Sequence, residues 1–205
     1  MHPHLPKNLV IAGDREDTCS ELQKLDEVAY HAELKYTEPS IDHEARWVSR
    51  GHVSRFGFKH HVVTDPNGIV LSVLTTPANV TDTTMFKQLL DTVDLPLATP
   101  VLANKGYESK SNRDYVHAHH YTDGLMYKKS KGEDLSPTKA RCNRRISAGR
   151  YAIERTFGSV HIWFGGGRVR YRGIAKTHTQ GILEFMAYNI KRMLRLEIRE
   201  HDTMW

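Results

Sequence analysis

Arg55-Phe56-Gly57-Phe58-Lys59-His60-His61-Val62-Val63, then Asp65-Pro66-Asn67-Gly68, then Ile69-Val70-Leu71-Ser72-Val73-Leu74, is the stretch that decides the architecture. Phe56, Phe58, His60 and Val62 alternate with Arg55, Gly57, Lys59 and His61, a period of two that describes a strand. The tetrapeptide supplies turn chemistry, since Pro presets φ and Gly tolerates positive φ. Ile69 to Leu74 is β-branched and apolar, so the two segments read as a β-hairpin.

Downstream, Asn79-Val80-Thr81-Asp82 offers N-cap side chains, and Met85, Phe86, Leu89, Leu90 and Val93 follow at helical spacing. Pro100-Val101-Leu102-Ala103-Asn104 is a short buried-strand pattern running into Lys105-Gly106-Tyr107. Ser109 to His120 reads as a helix, Leu125-Met126-Tyr127 as a short strand, and Ser130 to Lys139 as a polar loop. Two helices are expected at the end, Arg144 to about Trp163 and Thr179 to about Arg199, linked by Gly165-Gly166-Gly167. In the last one, Ile182, Phe185, Met186, Ile190, Met193 and Leu194 share a face, with Lys191, Arg192, Arg195 and Arg199 off it. Upstream, Leu9-Val10-Ile11-Ala12 is a lone apolar run in a stretch with few large apolar residues. The reading is an acidic, loosely structured arm over 1–45, a domain over 46–199 and a tail over 200–205. Strands first antiparallel and then interleaved with helices define a mixed α/β domain.

The 205-residue chain has the size of one large domain, and 39% hydrophobic with 26% charged residues suits a soluble globular core. That balance excludes collagen-like, low-complexity and wholly disordered chains. No apolar run approaches the roughly 18 residues of a spanning helix, and Met1-His2-Pro3-His4 does not begin a signal peptide. Cys19 and Cys142 build neither a disulfide framework nor a zinc site by themselves, so a reducing cytoplasm is expected. The net charge of +5 conceals an asymmetry. Asp14 to Glu44 carries ten acidic residues against three basic, whereas Lys139 to Arg199 carries fourteen Lys/Arg against three Glu. Clustered Lys and Arg gain free energy by displacing phosphate counterions, so a polyanionic partner is expected.

His117, His119 and His120 form the tightest histidine group, but their i, i+2, i+3 spacing does not suit ligands on one helix face; surface histidines are expected. The Gly165–Gly167 run lacks the flanking strand and Lys-Ser/Thr of a phosphate loop. More informative are motifs spread in order along the chain: Asp42-His43-Glu44-Ala45-Arg46-Trp47, Phe56-Gly57-Phe58-Lys59-His60, Thr75-Thr76-Pro77-Ala78-Asn79-Val80 and Leu102-Ala103-Asn104-Lys105-Gly106-Tyr107. Arg150 and Glu154 follow, four apart, with Arg155-Thr156-Phe157-Gly158 behind them. Gly167-Arg168-Val169-Arg170-Tyr171-Arg172-Gly173 and Met186-Ala187-Tyr188-Asn189-Ile190-Lys191-Arg192 complete the set.

In these motifs, over roughly Asp42 to Arg192, the chain resembles the DDE transposases of bacterial insertion sequences, in the IS-five-like group. The resemblance implies an RNase H-like mixed sheet flanked by helices. It also implies two Asp and one Glu around divalent metal, magnesium, which prefers anionic oxygen ligands. In the family the first Asp lies on the first, central strand, the second ends the fourth strand, and the Glu lies on the helix after the fifth. Glu154 matches the Glu and would be catalytic and metal-binding; Arg150 is the basic residue four positions before it. His161 stands where the family often has Lys. Asn104 falls on the second Asp, and Asp14, after Leu9-Val10-Ile11-Ala12-Gly13, is the candidate for the first.

The implied function is DNA transposition, with metal-dependent strand cleavage and transfer at transposon ends. This copy is expected to be impaired by the amide at 104 and by truncation, with the central first strand either missing or supplied by Leu9 to Ala12. The alternative is a non-catalytic DNA-binding relic, and a weaker one a metal-dependent nuclease. Arg144, Arg145, Arg150, Arg168, Arg170 and Arg172 are the expected DNA contacts. Transposon ends and target DNA, and a possible second copy of the chain, are the expected partners, with no membrane.

Overall fold

The hairpin forms as its period requires. In the computed structural model, which describes residues 9–17, 42–50, 53–130 and 132–202, β3 (Val53–Thr64) runs antiparallel to β4 (Val70–Pro77), with Val62 opposite Val73. Asp65 closes the turn: its carbonyl accepts from Gly68 N at 3.0 Å and its carboxylate from Ile69 N at 2.7 Å. Gly68 sits at φ +86°, the left-handed region that glycine adopts without a Cβ penalty.

β1 (Leu9–Asp17) pairs antiparallel with β3 on one side and parallel with β5 (Pro100–Ala103) on the other. β6 (Thr122–Leu125) continues the sheet in parallel beyond β5. β2 (Arg46–Arg50) and β4 share the far edge of β3, the former opposite Val53 to Gly57 and the latter opposite Phe58 to Thr64. The order β3-β1-β5-β6, with β4 beside β3 and the first strand central, is the mixed sheet of an RNase H-like fold. The run Leu9 to Ala12 thus supplies the central strand, which extends through Asp17.

Two helical layers cover the sheet. On one face α1 (Asp82–Asp91) and α2 (Lys110–Ala118) bury Phe86, Leu89, Leu90 and Val116 against Val63, Val101, Ala103 and Leu125. On the other, α4 (Tyr151–Phe164) and α5 (Ile174–Asp202) bury Ile153, Val160, Phe185 and Tyr188 against Val62 and Val70. α3 (Pro137–Gly149) precedes them, its Gly149 lying against Leu102 of β5. Ala45, Trp47, Phe56 and Phe58 form a smaller core closed by Val169 and Ile174.

Some local details depart from the sequence pattern. The expected single helix from Arg144 is two, broken at Arg150 directly after Gly149, a residue with little helix propensity. Its start lies earlier, because Pro137 opens the first turn and the Ser136 hydroxyl caps it. β6 precedes the predicted 125–127, and α5 begins at Ile174 rather than Thr179. On α5 only Phe185 of the expected apolar face is buried; Ile182, Met186, Ile190, Met193 and Leu194 are exposed. The seated face is instead Thr177, Gln180, Gly181, Glu184, Phe185 and Tyr188. Gly181 is the reason, since a Cβ there would lie 2.5 Å from the His60 ring and hold the helix off β3.

Candidate functional site

The C-terminal end of β5 gathers a polar network. Asn104 follows directly after the strand, and its side-chain oxygen accepts from Gly106 N at 2.7 Å, capping a single 3₁₀ turn over Lys105–Tyr107. Gly106 is required there: a Cβ would come 2.5 Å from an Asp82 carboxylate oxygen and 2.8 Å from the Asn104 oxygen. Asp82, in the first turn of α1, is neutralised by Lys59 Nζ at 2.6 Å, and Lys59 also donates to the Val80 carbonyl at 2.7 Å. Both side chains of this ion pair are buried.

Behind the pair, His61 Nδ1 meets the Tyr107 hydroxyl at 3.0 Å and Nε2 meets Thr76 Oγ1 at 3.1 Å. Burial, reinforced by the Lys59 charge, pushes the His61 pKa down to about 4. Burial first, then Asp82, raises the Tyr107 hydroxyl well above its ordinary value, with Arg150 opposing. A neutral His61 and a protonated Tyr107 therefore fill this layer with hydrogen bonds rather than charge.

Arg150 and Glu154 sit across the junction of α3 and α4. The Arg150 guanidinium is buried, with Nη1 3.7 Å from Met126 Sδ and 4.0 Å from a Glu154 carboxylate oxygen. Its Nε is buried without a hydrogen-bond partner, and burial lowers its pKa despite the favourable Glu154 charge. Glu154 itself is exposed in the first turn of α4. Among the described residues no hydrogen bond or ion pair joins Asn104 to Glu154. β1 pairs with β5 up to Ile11 opposite Ala103, so continuing the register sets Ala12 level with Asn104. Asp14 stands opposite His60 in β3, two residues further on, roughly 7 Å along the strand.

The expected DNA-contacting arginines separate into two environments. Arg144 and Arg145 on α3 are exposed, as are Arg168, Arg170 and Arg172 on the segment between α4 and α5. Gln180 holds that segment, its amide donating to the Arg168 carbonyl at 2.8 Å and accepting from Arg170 N at 2.9 Å. Arg150 differs from all of these in being buried.

Several motif residues have structural duties that spacing alone did not disclose. Asp42 and Glu44 accept from Gly173 N at 2.9 Å and Ile174 N at 3.0 Å, satisfying free N–H groups at the start of α5. Asn189 exchanges two 2.8 Å hydrogen bonds with the backbone of Val70, and Thr156 donates to the Gly68 carbonyl at 3.0 Å. The signal for Lys59–Asp82 was present in two adjacent motifs, a lysine on a strand face and an aspartate opening a helix. Their pairing required the fold.

A mixed sheet with its first strand in the middle and helices on both faces is consistent with the RNase H-like fold of a DDE transposase domain. The sequence profile of the "Transposase DDE domain" family matches residues 23–190, and the chain belongs to that family. It is 36% identical, over 75% of its length, to the "Transposase for insertion sequence element IS1106" of Neisseria meningitidis serogroup B. It is 31% identical, over 61% of its length, to the "Putative transposase for insertion sequence element IS402" of Burkholderia cepacia. Those alignments cover 53% and 58% of the two relatives, so the chain spans about half the length of the curated relatives it matches. No solved structure matches. Among the described residues, no helix is long and apolar enough to cross a membrane.

Proposed function

We propose that this chain is a transposase catalytic domain that engages transposon and target DNA but is impaired in metal-dependent strand cleavage and transfer. The observation that carries the reading is Asn104. At the end of β5, where the family resemblance calls for a carboxylate, it presents a neutral amide whose oxygen already accepts from Gly106 N. Hard divalent cations such as magnesium are held mainly by anionic oxygens. The described donors do not fit such an ion: Asp82 is neutralised by Lys59, and Glu154 stands exposed beside Arg150. No group of three or more His, Cys, Asp or Glu among the described residues is arranged to hold a metal. Asp14 is assigned as the remaining first-carboxylate candidate, in a register two residues from the level of Asn104.

DNA binding rests on different residues. Arg144, Arg145, Arg168, Arg170 and Arg172 are exposed and can meet phosphates, whereas Arg150 is buried beside Glu154 with its Nε closed off from solvent, so its expected DNA contact is dropped from the proposal. A cytoplasmic protein that assembles on DNA with a second copy completes the proposal. In the test, the purified chain is mixed with labelled duplex carrying element ends, in magnesium or in chelator. Binding is expected to be equal in both, and strand nicking absent. Robust magnesium-dependent cleavage would overturn the impaired reading and promote Asp14 to a ligand. Loss of all binding in chelator would replace DNA recognition through arginines by recognition through metal.

A further inference from the structure

The last turn of α4 and the middle of α5 converge on a patch outside the arginines considered so far. Trp163 is half exposed, with Lys191 Nζ directly over its ring, 2.6 Å from the centroid, and the Arg195 guanidinium 5.3 Å from it. Arg155 and Arg192 close another side, both donating to the Asn67 carbonyl at 2.8 Å in the β3–β4 turn. These four cations line one surface pocket with Trp163, and no carboxylate lines it among the described residues. Lys191 and Arg195 lie four apart on one helix face, a spacing at which like charges repel. Desolvation against the ring, and then Arg195, push the Lys191 pKa down.

A concentration of positive charge of this kind favours a polyanion, which releases its counterions on binding. The aromatic ring holds the lysine ammonium at the surface while leaving its donors free. We propose that this patch binds backbone phosphates of DNA, a contact separate from the Arg168–Arg172 segment. It rests on the reading of the chain as a DNA-engaging transposase domain. Trp163 lies nine residues beyond Glu154 on α4, about 13 Å of helix rise. Nine residues at 3.6 per turn also carry Trp163 about half way round α4 from Glu154, so the patch faces away from the Glu154 side of the helix.

The test measures binding of a fluorescent duplex by anisotropy across a salt series, for the full chain and for Lys191→Gln/Arg195→Gln. Both side chains are at the surface, and matched thermal melts check that the fold is kept. If each cation meets one phosphate, the slope of log K against log salt should flatten by about 0.9 per residue removed, about 1.8 in all. Tryptophan emission should also change on adding duplex to the parent, and not in Trp163→Phe. A parent that binds no duplex at low salt would defeat the DNA reading and this patch together. A parent that binds, with a double variant of unchanged slope, would defeat the patch alone. An emission change that survives in Trp163→Phe would likewise move the contact elsewhere.

Discussion

Replacing Lys59 with Met removes the ammonium 2.6 Å from the Asp82 carboxylate and 2.7 Å from the Val80 carbonyl. The side chains of the pair are 5% and 7% exposed, so water cannot take over. Breaking a buried pair from one side costs about 3–5 kcal/mol, because an uncompensated charge stays behind. Against a total stability of about 5–15 kcal/mol that is a large fraction. At about 2–4 °C per kcal/mol for a domain of this size, the melting temperature should fall by about 6–20 °C. Urea titration followed by circular dichroism and by the emission of buried Trp47 reads the change as a lower midpoint at unchanged m-value. The companion Lys59→Met/Asp82→Leu removes both charges and should recover at least half of the loss, since a buried pair replaced by apolar groups is often neutral. A single variant within about 0.5 kcal/mol of the parent, a shift typical of an unimportant surface site, would refute the claim that this pair anchors α1 against β3.

Other expectations follow from the same network and its surroundings. His61 is depressed from 6.5 to about 4, so the neutral ring contributes stability that is complete above about pH 6.5 and lost as pH falls toward 4. The loss is on the order of 3 kcal/mol at 1.36 kcal/mol per unit, and His61→Gln should flatten the pH dependence of the melting temperature in that window; parallel pH curves for the two proteins would contradict it. Gly181→Ala, normally stabilising inside a helix, should here destabilise by about 1–3 kcal/mol because the methyl meets His60 at 2.5 Å. Gly158→Ala, with open space around it, should stabilise by about 0.5–1 kcal/mol, and chemical denaturation of the pair checks both signs. Val10→Pro removes a backbone N–H in a strand paired on both sides, so soluble yield and melting temperature should drop sharply; parent-like behaviour would mean that β1 is not central to the sheet.

The relation between motif and role is uneven along the chain. Phe56, Phe58 and Val62 announced a strand because alternation is local, and the hairpin followed from four turn residues. Tyr107, Asn104 and Gly106 announced only that the end of β5 mattered. That Gly106 is hemmed in by the Asp82 carboxylate, a residue on another element, was not legible, because the approach is made in three dimensions. The apolar stripe of α5 misdirected the reading for a related reason. Helical periodicity assumes that the largest apolar face packs inward, whereas Gly181 and Thr177 permit closer contact with β3 and turn Ile190 and Met193 to the surface.

By itself, the sequence determined the mixed α/β class, the hairpin, most of the helices, the basic C-terminal half and the family. All of these depend on residues near one another in the chain or on ordered motifs. Only the tertiary structure decided that Leu9–Asp17 occupies the centre of the sheet, that Asp14 sits two residues beyond the level of Asn104, and that Arg150 is buried while Arg168, Arg170 and Arg172 are exposed. It also decided that Asp42 and Glu44 cap a helix well over a hundred residues away. Strand pairing, burial and charge neutralisation are set by which backbone groups and side chains meet after the chain has folded back on itself, and local spacing carries no record of those meetings.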